Sequence, residues 1–99
     1  MMEKNIQNLY DLMEKLDRVG RNGYTGYESN SILNIAEKAK KLISEFTDLD
    51  DELKKEALFE LDFIINSKIT IGKNEIMDLI RKTSSPIISI LDFYGITFY

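Results

Sequence analysis

The chain has no cysteine, no histidine and no tryptophan, and only one proline and five glycines in 99 residues. Without cysteine there are no disulfides and no thiolate metal sites, which fits a reducing cytosol. Losing histidine as well removes the commonest zinc ligands and the usual proton shuttle near neutral pH. A serine nucleophile would find no histidine to act with, so a Ser-His-Asp arrangement is excluded. Scarce proline and glycine argue against a sandwich or barrel with its many turns. Basic charge is also in deficit, 13 Lys and Arg against 17 Asp and Glu, for a net −4. Dedicated nucleic-acid binders usually carry a basic face, so no nucleic-acid partner is expected. No stretch reaches the roughly eighteen apolar residues of a spanning helix, and the first residues lack the apolar run of a secretion signal, so the expected location is cytoplasmic.

What remains is ordinary globular composition, 43% hydrophobic and 30% charged, in a chain of one-domain length. Its apolar residues fall into four stripes of helical period. Ile6, Leu9, Leu12, Met13, Leu16 and Val19 mark a helix over residues 3–19, with Gly20 as its stop. Ile32, Ile35, Ala36, Ala39, Leu42, Ile43 and Phe46 mark a second, expected from Ser29 or Asn30 to about Phe46, with Ser29, Asn30 and Ser31 all offering oxygens that suit a cap. Thr47 or Asp48 is the expected cap of the third, with Asp50, Asp51 and Glu52 in its first turn, where negative charge is favourable. Leu49, Leu53, Ala57, Leu61, Ile64 and Ile65 form its stripe. Leu58, Phe59 and Phe63 widen it, so this helix is expected to be the most buried. Residues 68–72 read as an extended link, and a fourth helix is expected over residues 73–83.

Ser84, Ser85 and Pro86 then predict a break, with Pro86 restarting a short helix to Tyr94. Gly95 suits the left-handed position after a helix end, and residues 96–99 are expected to be extended. Short links between helices favour antiparallel neighbours. The expected fold is all-α: an antiparallel, up-down, left-handed four-helix bundle over residues 1–83, with residues 84–99 as a tail docked on it. Nine of the last fourteen residues are Ile, Leu, Phe or Tyr, and Asp92 is their one charge. An end this apolar must dock on its own domain, on a second copy or on a partner.

Motifs of chemistry are weak. Residues 48–52 look superficially like a calcium loop but lack the glycine and the distal glutamate that such a loop needs. Gly20, Gly23 and Gly26 have no preceding strand and no following Lys-Ser/Thr, so they do not form a phosphate loop. Glu56 and Glu60 lie beside Lys54 and Lys55 and read as a solvated face. No catalytic, metal or cofactor residue is expected. Lys68, Lys73, Arg81 and Lys82 flank the fourth helix and the tail, where they could assist docking by charge. Tyr24 and Tyr27 offer a second contact surface in the first loop.

The opening Ile6-Gln-Asn-Leu-Tyr-Asp-Leu12 and the run Asn66-Ser-Lys-Ile-Thr-Ile-Gly-Lys-Asn-Glu-Ile-Met-Asp-Leu-Ile80 resemble the immunity proteins of class IIa (pediocin-like) bacteriocins. The second run looks like that family's Lys-Ile-x-Leu-Ser/Thr-x-Glu entry into helix four, with Gly72 where Ser or Thr is usual. The length, and a tail with Tyr-Gly and a terminal Tyr, agree. The resemblance implies a cytoplasmic, non-enzymatic protein that protects a producer cell from its own pore-forming peptide. It would do so by engaging the membrane components of the mannose phosphotransferase system when bacteriocin is bound there, touching the inner face of the membrane without inserting. It also implies that the C-terminal half sets which peptide is resisted. The candidate recognition residues are therefore Ile90, Phe93, Tyr94, Gly95, Ile96, Thr97, Phe98 and Tyr99, with Lys73, Arg81 and Lys82 beside them. A monomer is expected. The rival reading is a homo-oligomeric helical adaptor or small phage or plasmid regulator that uses the tail as its subunit interface.

Overall fold

A computed structural model describes residues 4–21, 28–66 and 73–97, with the side chains of residues 28, 29 and 73–75 excepted. Four helices form: α1 Lys4–Arg21, α2 Glu28–Glu45, α3 Asp51–Asn66 and α4 Lys73–Phe93. Among the described residues there is no strand. The all-α bundle is as the periodicity predicts. The predicted link over residues 68–72, the Tyr24–Tyr27 loop and the terminal Phe98 and Tyr99 lie outside the described residues.

α1 touches α2 and α4, and α3 touches the same two helices. α2 also touches α4 across the middle, while α1 and α3 do not meet. The order around the bundle is therefore α1, α2, α3, α4, with α2 and α4 on the short diagonal. Gly20, near the end of α1, lies against Ile80 and Met77 near the start of α4. Tyr94, just past the end of α4, reaches Phe46 and Asp48 in the α2–α3 link. These contacts fix the up-down alternation.

The core gathers the predicted stripes. Leu9 and Leu16 of α1, Ile32 and Ile43 of α2, and Leu61 of α3 are fully buried, as are Ile87, Ile90 and Leu91 of α4. Their burial supplies most of the stabilisation, about 1.5–3 kcal/mol for each such side chain.

Local signals account for the ends, with corrections. α1 runs through Gly20 to Arg21, so Gly20 does not stop the helix. A Cβ there would stand 3.4 Å from Ile80 Cδ1, an ordinary contact with the tip of a side chain, so the packing of α4 does not require glycine. Ser29, Asn30 and Ser31 fall inside the first turn of α2, which starts at Glu28. The cap of α3 is Asp50 rather than Thr47 or Asp48: its Oδ2 accepts from the Leu53 amide at 3.1 Å. That satisfies one of the free donors of the first turn.

The largest correction concerns Pro86. α4 does not break at residues 84–86 but continues to Phe93. Proline denies the Lys82 carbonyl its i+4 donor and costs about 3 kcal/mol inside a helix. A break would pull Ile87, Ile90 and Leu91 off the core. At about 1.5–3 kcal/mol each, that loss is roughly 4.5–9 kcal/mol, which exceeds the proline penalty. The Pro86 ring is itself fully buried. One turn earlier, Thr83 is buried and its Oγ1 donates to the Leu79 carbonyl at 2.8 Å.

α4 ends as Gly95 predicts. Gly95 has φ of 77°. Its amide donates to the Asp92 carbonyl at 2.9 Å, and the Ile96 amide donates to the Leu91 carbonyl at 3.0 Å. This is the paired bonding of a Schellman cap, and Ile96 packs back on the core beside it.

Candidate functional site

Among the described residues, five large apolar side chains are exposed: Phe59 at 72% and Phe63 at 65% on α3, with Met77 at 56%, Ile88 at 41% and Phe93 at 46% on α4. Among the described residues, α1 and α2 expose none. The exposed large apolar side chains described thus belong to the last two helices.

α3 is not the most buried helix, as its composition had suggested. At about 100° per residue, Phe59 and Phe63 point nearly opposite to Ala57, Leu61 and Ile64, which face the core. The two rings, four residues apart, form a ridge. On its α4 side lies a groove of about 440 Å³ lined by Phe59, Glu60, Phe63, Ile64, Lys82 and Ser85. Across the ridge, a second hollow of about 420 Å³ is lined by Phe59, Asp62, Phe63 and Asn66.

The charge around this ridge is mainly acidic. Glu52 and Glu56 share its stripe and Glu60 flanks it. All three are exposed, with no ion pair among the described residues. Lys55 is the exposed cation of the same face. Asp62 pairs with Lys40 of α2. Lys82 reaches into the groove's lining but is held by Asp78 at 3.1 Å.

The end of α4 is a second feature. The Tyr94 hydroxyl donates to Asp48 Oδ1 at 2.8 Å. Its ring meets Phe46 edge-on at 5.5 Å and Phe93 at 5.1 Å. Aromatic pairs in this geometry contribute about 0.5–1.5 kcal/mol beyond simple burial. The clasp fixes where Phe93 projects.

The expected recognition residues divide accordingly. Ile90 is fully buried with Ile87 and Leu91, so it offers no surface. Phe93, Gly95 and Thr97 are exposed, while Tyr94 and Ile96 are half-buried. Lys73 opens α4, but its side chain, like Phe98 and Tyr99, lies outside the described residues. Arg81 and Lys82 are exposed. Lys82 sits about 16 Å along the helix from Phe93, at 1.5 Å per residue, and so joins the α3 ridge and not the α4 end. Sequence reasoning missed the ridge, although its signal was present in the angular position of Phe59 and Phe63.

On the opposite edge of the bundle, α1 and α2 form a groove of about 560 Å³. Lys4, Lys15, Lys38 and Lys41 line it, together with Asp11 and Glu45. Among the described residues no group of three or more carboxylates is placed to hold a metal ion, and no helix is long and apolar enough to cross a membrane. Compared with protein-family models, curated proteins and solved structures, the chain matches none.

Proposed function

We propose that this chain works by contact and not by bond-making chemistry, as an immunity protein of the class IIa bacteriocin type. In this reading it stays in the cytoplasm of the producing cell and meets the inner face of the membrane. There it engages mannose phosphotransferase components that carry bound bacteriocin. The observation that carries the proposal is the exposure of large apolar side chains on α4, Met77, Ile88 and Phe93. The resemblance assigns the choice of target to the C-terminal half, and that is the half with the exposed apolar surface. The clasp of Tyr94 on Asp48 and Phe46 supports it further. A recognition element already held in place spends less binding free energy on ordering.

The test is expression of the full chain in a sensitive strain challenged with a panel of pediocin-like peptides. Survival against at least one peptide is expected, as is reduced survival with Phe93→Ala at equal protein level. A well-expressed chain that protects against no member of a broad panel removes the proposal.

A further inference from the structure

We infer that the Phe59–Phe63 ridge, with the α3–α4 groove beside it, is a docking site for a basic amphipathic helix of another protein. This surface is separate from the α4 end and extends recognition to a second partner chemistry. Two rings at i and i+4, both about two-thirds exposed, are the spacing that meshes with apolar residues three and four apart on a partner helix. The hollows on either side give those residues somewhere to sit.

The charges choose the partner. Glu52, Glu56 and Glu60 lie along and beside the rings without ion pairs among the described residues, against one cation of the same face, Lys55. Lysines or arginines flanking an apolar stripe would meet these carboxylates while the stripe covers Phe59 and Phe63. A second copy of this chain is disfavoured by the same residues. An isologous contact sets a patch against itself, which would bring two sets of these glutamates together on a chain already at net −4. An anionic lipid surface meets the same repulsion. Lys82 and Asp78 pair and cancel in charge, and Lys55 alone leaves the three glutamates in excess.

The probe is a synthetic peptide of about 18 residues, five helical turns, with leucines on one face and lysines flanking them. Fluorescence anisotropy with the full chain should give saturable, salt-sensitive binding. Phe59→Ala with Phe63→Ala should weaken it roughly tenfold, and so should Glu52→Gln, Glu56→Gln and Glu60→Gln together. Amide shift mapping on the unaltered chain should place the peptide on residues 52–63 and 82–85, independently of any variant. Four results overturn the inference: no saturable binding, equal binding of a scrambled lysine peptide, undiminished binding by the phenylalanine variant, or a dimer in sedimentation that this variant dissolves. The titration involves neither cells nor bacteriocin, so it succeeds or fails independently of the protection assay.

Discussion

Alanine substitutions on the two faces of α3 separate its structural role from its recognition role. Leu61 is fully buried between helices. Leu61→Ala leaves a cavity and should destabilise the fold by about 2–5 kcal/mol. Phe59 and Phe63 are 72% and 65% exposed, so only about a third of each ring is covered. At about 1.5–3 kcal/mol for full burial, that third is worth roughly 0.5–1 kcal/mol per ring. Alanine's better helix propensity returns about 0.5 kcal/mol at each site. Phe59→Ala with Phe63→Ala should therefore change stability by less than about 1 kcal/mol. The assay is urea unfolding followed by far-ultraviolet circular dichroism. With a slope of about 1.5 kcal/mol/M, Leu61→Ala should lower the midpoint by roughly 1.3–3.3 M, and the double variant should hardly move it. A double variant as unstable as Leu61→Ala would show that the rings are packed inside, and the ridge would cease to be a surface. An unchanged midpoint for Leu61→Ala would show that the helix is turned the other way.

Tyr94→Phe keeps the ring and removes the donor to Asp48; thermal unfolding should register a loss of about 0.5–1.5 kcal/mol, near the low end because Asp48 is exposed. Gly20→Ala should stabilise by about 0.5–1 kcal/mol, since the new Cβ meets only the flexible tip of Ile80 and helix propensity improves. Gly95→Ala should destabilise by about 1–2 kcal/mol despite open space around it, because its φ of 77° disfavours a Cβ. Urea titrations of the two glycine variants should shift in opposite directions, and a shared direction would contradict the backbone assignments.

Much of the fold was legible from periodicity. The buried positions of α1 are those its three-and-four spacing picks out, and Gly95 announced the cap of α4. The errors came from letting a local signal outweigh a longer one. Pro86 signals a break, yet Ile76, Leu79 and Thr83 keep the same angular phase as Ile87, Ile90 and Leu91 on its far side. A stripe that survives a proline in register indicates one helix, because the shared core outweighs one missing hydrogen bond. Phe59 and Phe63 show the converse: their hydrophobicity suggests burial, while their angular position turns them to solvent. Asp50 was placed in the first turn because three acids follow one another, and nothing local says which of them sits one residue outside. Arg81 and Lys82 adjoin a tail only if α4 ends near Thr83. In one unbroken helix, Lys82 belongs to the middle.

The lysine-lined groove between α1 and α2 faces away from the glutamates of α3. The chain is thus electrically lopsided as well as negative overall. Near a negatively charged sheet, within a Debye length of about 10 Å, such a body experiences a torque before it experiences a contact. That torque favours the lysine edge, so engaging a membrane component through α3 and α4 works against it, and added salt relieves the opposition. Salt-sensitive long-range forces would then set the approach, and the phenylalanines the contact.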